Sequence, residues 1–251
     1  MKRGILPLVS GLVLLLSSLS CTRESPRLRG VPTKMLWAWE SAQDLRFLNH
    51  GEGVAFLVGE LHLEGAEVRW VGRRSPLHVN PETPLIAVLR VETRQPALNP
   101  AQAQSLVERA LKALPLPQVV GLQIDFDAKD SERPFYAETL KALRLRMPAS
   151  APLSITALAS WCLDDPWLSG AGLAGVVDEA VPMLFRMGVE DRAVRLRLRC
   201  GERLSEPLAR RSCGLSTDEP LLRLRGSHRT YVFHPGPWTE AAWTRITREL
   251  P

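Results

Sequence analysis

Residues 121–127 have the sequence GLQIDFD, in which polar and apolar side chains alternate. Successive side chains of a β-strand point to opposite faces, so Gln123, Asp125 and Asp127 share one face while the intervening Leu, Ile and Phe side chains share the other. We expect the apolar face to pack against helices. The polar face is then expected to point into a closed barrel and up to its mouth, because buried carboxylates need partners or water.

Short apolar or β-branched runs recur on both sides of this segment and are typical of buried strands. Together with the run at 119–126, they span residues 35–39, 54–61, 85–91, 153–158, 181–187, 214–217 and 230–233. Helix-like patterns lie between several of them, at residues 100–114, 133–146, 189–198 and 240–250. Strands that alternate with helices favour a parallel sheet, and eight is the strand number of a (β/α)8 barrel.

The sequence therefore predicts one α/β domain over residues 34–251, a (β/α)8 barrel of the TIM type. Its first third is expected to be decorated or irregular, because residues 64–70 look like an extra β segment after the run at 54–61. An open, doubly wound α/β sheet ranks second, because no glycine-rich phosphate loop follows the first strand.

Residues 1–20 have the charged, apolar and then small-residue order of a secretory signal peptide. The following Cys21 ends the segment SLSC, which resembles a bacterial lipobox and implies that Cys21 is acylated. Two or three acyl chains anchor a protein stably, so we expect an exported lipoprotein of the bacterial cell envelope held on a membrane through Cys21. Residues 21–33 would then be a tether. Ordinary cleavage nearby and an uncleaved anchor are the alternatives.

Export would place the other cysteines in an oxidising compartment. Cys200 and Cys213 bracket a short charged loop, and we expect them to form a disulfide. Cys162 would remain unpaired. Because no histidine lies near it in the sequence, we interpret Cys162 as a small buried residue rather than a nucleophile.

The formal net charge of +5 is mildly basic and does not indicate nucleic-acid binding. The densest arginine cluster, at residues 192–203, is interpreted as the solvated face of a helix. No tightly bound metal is expected, since the acids at 125–132 lack the spacing of a calcium loop and no pair of histidines has zinc-ligand spacing. No cofactor is predicted either, and the oligomeric state stays open.

Polar side chains follow several predicted strands, at the end where parallel barrels hold their active sites. The residues that follow the eight predicted strands are Glu40, His62, Glu92, Asp125 with Asp127, Trp161, Arg186, Asp218 with Glu219, and His234. Neighbouring carboxylates raise one pKa, so we interpret Asp127 as a general acid and Asp125 as the neighbour that tunes it. Asp218 or Glu219 would supply a second carboxylate across the mouth. Alternatively, Asp125 and Asp127 cap loops or bind Arg186 structurally.

Aromatic residues lie near several predicted strand ends, with Trp39 and Trp161 best placed to stack on sugar rings. Core packing is the alternative for each of them. We expect the substrate to be oriented by Trp39, Trp161, Tyr136, Arg186, Gln123 and Glu40.

The strings QIDFDA at 123–128, PFY at 134–136, LSITALASW at 153–161, VPMLFRMG at 181–188, STDE at 216–219 and YVF at 231–233 resemble a bacterial family. That family is domain of unknown function 3142 (DUF3142), and the resemblance extends from residue 35 to the end of the chain. Since the family has no assigned activity, it implies a relative and not a reaction.

A more distant resemblance is to chitinase-like glycoside hydrolases, whose fourth barrel strand contains Asp-Gly-x-Asp-x-Asp-x-Glu. Gly121, Gln123, Asp125 and Asp127 fall in register with the Gly, Asp, Asp and catalytic Glu of that motif. Asp127 is one methylene shorter than the glutamate, and Arg186 stands where the sixth strand of that family has an acid. The resemblance implies a barrel that binds or hydrolyses a polysaccharide. The alternative is a catalytically inactive lipoprotein that binds glycan or protein.

Overall fold

Eight parallel strands form a closed barrel in the computed structural model, which describes residues 24–250. The strands of this part are β1 (Lys34–Ala38), β2 (Gln43–Asp44), β3 (Glu52–Gly65), β4 (Glu67–Gly72), β5 (Leu77–His78), β6 (Leu85–Pro96), β7 (Val119–Asp125), β8 (Leu153–Leu158), β9 (Glu179–Met183), β10 (Ser212–Ser216) and β11 (Arg229–Phe233). The barrel order is β1-β3-β6-β7-β8-β9-β10-β11, and β1 pairs with both β3 and β11, which closes the sheet. The predicted (β/α)8 barrel is confirmed.

Helices cover the second half of the barrel. They are α1 (Pro100–Ala113), α2 (Arg133–Arg146), α3 (Ala159–Leu163), α4 (Trp167–Gly170), α5 (Asp191–Arg199) and α6 (Glu240–Glu249). At the start of α1, the Asn99 side chain accepts the Gln102 N–H and the Gln102 side chain accepts the Asn99 N–H, which is a capping box. None of these six helices in residues 24–250 is long and apolar enough to cross a membrane.

The first third is irregular, as the sequence predicts. Short strands stand where helices would connect β1 to β3 and β3 to β6. The strand β4 pairs antiparallel with β3, while β2 and β5 form a separate two-stranded sheet. This part of the barrel therefore has β structure on its outside instead of a helical layer.

The apolar face of β7 packs against the helices, as the alternation of its side chains predicts. Leu122, Ile124 and Phe126 belong to the large apolar cluster between the barrel and its helices. A second, smaller apolar cluster fills the barrel itself and includes Trp37 and Tyr231, whose rings stack with centroids 5.2 Å apart. The interior of the barrel at this level is therefore a packed core.

The lower end of the barrel is covered by the chain segment that precedes β1. A 3-10 helix, Pro26–Gly30, places Leu28 in the barrel cluster. Arg229 donates to the carbonyls of Leu28, Val31 and Pro32 and forms a buried ion pair with Glu179 at 3.0 Å. Residues 24–33 thus pack on the domain, and the boundary predicted at residue 34 is corrected accordingly. The predicted signal peptide and Cys21 lie outside the described residues.

The predicted disulfide is not present. Cys200 is exposed at the C-terminus of α5, whereas Cys213 is buried on β10, where the Ser227 hydroxyl lies 3.5 Å from its sulfur. The β10 strand turns the Cys213 side chain into the core, away from the loop that both cysteines bracket. Cys162 is fully buried, and burial raises the pKa of its thiol, which agrees with a structural role.

Candidate active site

A pocket of about 480 Å³ opens at the mouth of the barrel, at the C-terminal ends of the parallel strands. Its lining comes from β1, β6, β7, β8, β9 and β11 and from the loops that follow them. The lining residues are Trp37, Trp39, Arg90, Asp125, Asp127, Thr156, Leu158, Ala159, Ser160, Met183, Phe185, Arg186, Met187, Gly188, Glu190 and Phe233. The pocket lies at the end of the barrel where the sequence predicts the site.

Asp125, the last residue of β7, is buried at the base of the pocket. One of its carboxylate oxygens accepts from Arg90 Nη1 at 2.9 Å, and the other accepts from the Thr156 hydroxyl at 2.7 Å. Burial raises the pKa of Asp125, although Arg90 and Thr156 act in the opposite direction. Asp125 is thus a positioned carboxylate with both oxygens occupied by protein donors.

Asp127 lies two residues beyond the end of β7, on the open wall of the pocket. The pocket walls remove part of its hydration, and this desolvation, followed by the negative charge of Asp125, raises the pKa of Asp127 to about 6. The Arg90 guanidinium lowers it only in part, while the Glu92 carboxylate adds to the increase. Asp127 therefore holds a proton in weakly acidic solution where an ordinary aspartate does not.

Four aromatic rings form the wall nearest β1, β9 and β11. Phe185 and Phe233 stack in parallel with centroids 5.8 Å apart, and the Trp39 ring meets Phe233 edge-on at 6.3 Å. Trp37 is tilted against Phe185 at 6.1 Å. The pocket thus has an apolar aromatic wall and a wall with carboxylates, which suits a ligand with one apolar face and several hydroxyl groups.

Gln123 is placed below the pocket rather than in it. Its side-chain oxygen accepts the Trp37 indole N–H at 2.8 Å, and its amide donates to the Ser154 hydroxyl at 3.0 Å. Because the side chain is fully buried, the prediction that Gln123 contacts substrate is corrected. Its role is to hold the Trp37 ring.

Tyr136 and Trp161 do not line the pocket, contrary to prediction. Tyr136 lies on the inner face of α2, where its hydroxyl faces the Ile124 carbonyl at 3.4 Å and its ring meets Phe126 edge-on. Trp161 is buried in α3 and packs edge-on against Trp167. Both rings belong to the layer between barrel and helices.

The two acids predicted to face Asp127 also lie outside the pocket lining. Glu219 accepts the backbone N–H of Arg186 at 2.8 Å and forms an ion pair with Arg195. Asp218 is exposed and bonded to the Ser216 hydroxyl, which lowers its pKa. Neither acid therefore stands free opposite Asp127, and the predicted pair of carboxylates across the mouth is corrected.

Glu40 is likewise engaged elsewhere, since its carboxylate accepts the backbone N–H groups of Arg74 and Ser75. Of the residues predicted to bind substrate, the structure brings Trp39 and Arg186 to the pocket. Their neighbours Arg90, Glu190 and Phe233 were not predicted. A signal for Arg90 exists in the sequence, because it is a charged residue within an apolar strand and faces the same side as Val88.

Comparison with known proteins gives a family match for the middle of the chain and a structural match for the fold. The profile of the family described as domain of unknown function (DUF3142) matches residues 81–193, which confirms that resemblance over a shorter length than predicted. The matched part contains Arg90, Asp125, Asp127 and Arg186. No curated protein matches the chain.

One solved structure with the same fold is that of a protein assigned as chitinase A from Streptomyces coelicolor. It aligns with a TM-score of 0.52 over 86% of this chain and 95% of that chain, at 8% sequence identity. This likeness shows that the two chains share the (β/α)8 barrel fold.

Proposed function

We propose that the protein binds a polysaccharide in the pocket at the barrel mouth and cleaves it with Asp127 as the general acid. The observation that supports this most directly is a carboxyl group with a pKa of about 6, placed in an open pocket beside a buried, ion-paired carboxylate. A general acid works best when its pKa lies near the working pH. The aromatic wall supplies the surface on which the apolar face of a sugar ring can stack.

In this reaction the Asp127 carboxyl donates its proton to the glycosidic oxygen. The bond between that oxygen and the anomeric carbon breaks, and the departing sugar leaves with a hydroxyl group. Because Glu219 and Asp218 are bonded outside the pocket, the anomeric carbon is attacked by water, either directly or after an acetamido group of the substrate has first bonded to it. The attacking water gives its proton to the Asp127 carboxylate, which restores the acid. Asp125 is ion-paired with Arg90, and its carboxylate adds to the effect of desolvation in raising the pKa of Asp127.

The release of reducing ends from cell-wall and capsular glycans tests this proposal. Asp127→Asn keeps the shape of the side chain and is expected to lower the rate by about 100-fold or more. Asp130→Asn is a matched control, because Asp130 is exposed and lies outside the pocket lining. Equal rates for wild type and Asp127→Asn would remove Asp127 from the mechanism.

Glycan binding without cleavage is the second candidate. It is favoured by the engagement of Glu219 with Arg195 and with the Arg186 backbone, which leaves Asp127 without a free partner carboxylate from β10. This candidate expects glycan binding by the wild type without release of reducing ends. It also expects Asp127→Asn to change the dissociation constant only a few-fold.

We further propose that the protein is exported and anchored on a membrane of the cell envelope through acylated Cys21. The support is the signal-like order of residues 1–20 and the SLSC segment. Wild type and Cys200→Ala are expected in the membrane fraction and should incorporate labelled palmitate. Cys21→Ala should do neither, and membrane fractionation of Cys21→Ala like that of the wild type would contradict the anchor.

A further inference from the structure

We propose that the polysaccharide is acidic and that it extends from the pocket into a groove lined by arginines. The groove, called the arginine groove below, has a volume of about 590 Å³ and is lined by four arginines, Arg186, Arg192, Arg195 and Arg199, together with Leu196 and other residues of the β9–α5 region. This inference rests on the proposed function and specifies the class of substrate.

The arginine groove is continuous with the pocket at the barrel mouth. Arg186, Met187 and Gly188 line both spaces, because they form the loop that leaves β9 and leads to α5. A chain molecule with one sugar beside Asp127 can therefore pass along this loop into the groove. A single small ligand would occupy only one of the two spaces.

The charges of the two spaces are opposite. Four arginines and two acids, Asp191 and Glu219, line the groove, so positive charges exceed negative ones. Both acids are bonded to the buried Arg195, which also donates to the carbonyls of Leu184 and Pro220. The exposed arginines of the groove are therefore not neutralised by these acids, and negative groups of a ligand are attracted to the groove and not to the Asp127 end.

The α5 helix presents two of these arginines on one face. Arg192, Leu196 and Arg199 follow the four- and three-residue spacing that aligns side chains along a helix, and all three are exposed. Within residues 24–250, Arg192 and Arg199 have no ion-pair partner. They lie roughly 10 Å apart along the axis, with a 63% exposed leucine between them. This face can thus bind repeated anionic groups on a chain whose sugar rings cover the leucine.

Arg186 stands where the two spaces meet and is held there by its backbone. Its φ is +53°, a left-handed value that is unusual for a residue other than glycine, and Glu219 accepts its N–H at 2.8 Å. Its guanidinium lies 4.8 Å from the centre of the Phe233 ring. Glu219 is therefore a positioning residue that holds Arg186 at the junction.

The test is binding of hexagalacturonate, which has a carboxylate on every sugar, and of its methyl ester, the same chain without charge. A poly(glycerol phosphate) fragment shows whether phosphate serves as well as carboxylate. The full-length protein is expected to bind one or both charged chains at least about tenfold more tightly than the neutral ester, with affinity lost in high salt. Equal affinity for the neutral ester, no binding of either charged chain, or equally tight binding of oligothymidylate would overturn the inference.

Matched variants separate the groove from general charge. Arg192→Gln/Arg199→Gln is expected to raise the dissociation constant for the charged chain about tenfold, which corresponds to two exposed ion pairs. Arg29→Gln/Arg146→Gln removes the same charge from exposed arginines at the other end of the barrel and should leave affinity unchanged. Equal losses in both double variants would overturn the assignment to the groove.

The outcomes also separate this inference from the proposed reaction. Asp127→Asn should retain binding of the charged chain because Asp127 lies outside the arginine groove. Cleavage of a neutral glycan without binding of charged chains would overturn the acidic substrate alone. Binding of charged chains without cleavage of any glycan would overturn the catalytic proposal alone.

Discussion

Replacing Asp127 with asparagine is expected to stabilise the fold at pH 8 and to have little effect at pH 4. The pKa of Asp127 is raised from 3.8 to about 6, so its contribution to stability is fully present below pH 3.8 and is lost as the pH rises through about 6. A shift of roughly two units corresponds to about 3 kcal/mol. Because the side chain is exposed on the pocket wall, solvent screening reduces this to about 1 kcal/mol.

Urea unfolding of wild type and Asp127→Asn at five pH values between 4 and 8 measures this difference, with tryptophan fluorescence as the signal. The expected gain of about 1 kcal/mol at pH 8 would raise the Tm by about 2–4 °C. Asp130→Asn is the control, because Asp130 is an exposed acid in an ion pair with Arg133 and should not become more stable at high pH. A stability difference for Asp127→Asn that is the same at every pH would refute the raised pKa.

Three further predictions follow from the same contacts. The rate of glycan cleavage should fall above about pH 6 as Asp127 loses its proton, and a kcat/KM profile that rises through this pH would contradict its role as the acid. Arg229→Met removes the ion-pair partner of the buried Glu179 and should lower the free energy of unfolding by about 3–5 kcal/mol in urea titrations. Adding Glu179→Gln should recover part of this loss, and a loss below about 1 kcal/mol for Arg229→Met would contradict the prediction. Gly214→Ala places a methyl group 2.7 Å from the Trp37 ring and should lower the free energy of unfolding by about 1–3 kcal/mol in thermal unfolding. The near-ultraviolet circular dichroism spectrum should change as well. An unchanged stability would show that the ring moves freely.

The strands could be predicted because their signal is local. Side-chain alternation in residues 121–127 indicates one buried apolar face and one polar face. The structure places β7 at Val119–Asp125, which ends one residue before the predicted run at 119–126. The α1 helix was predicted from the helix-like pattern at residues 100–114, and the contacts that cap its start join Asn99 to Gln102, three residues away. Such patterns depend on a few residues at a time, so a single sequence is enough to find them.

The partners of charged and aromatic side chains could be predicted only in part. Asp125 and Asp127 were identified because they end a strand at the barrel mouth. Tyr136 was misassigned because its position in α2, on the side that faces the barrel, decides that the ring is buried. Glu219 was misassigned because its ion pair with Arg195 depends on how α5 packs against the loop after β10. A one-dimensional pattern contains neither the direction of a helix face nor the approach of two loops.

The sequence alone determined that this chain forms a parallel barrel with two acids at the end of its fourth barrel strand, since hydrophobic periodicity reports directly which side of each strand is buried. The tertiary structure decided which side chains share a space: Arg90 with Asp125, Trp37 with Gln123, and the aromatic wall opposite Asp127. These pairs are separated by tens of residues in the chain. Their meeting follows from barrel closure and strand register, and burial at that meeting point is what raises the pKa of Asp127.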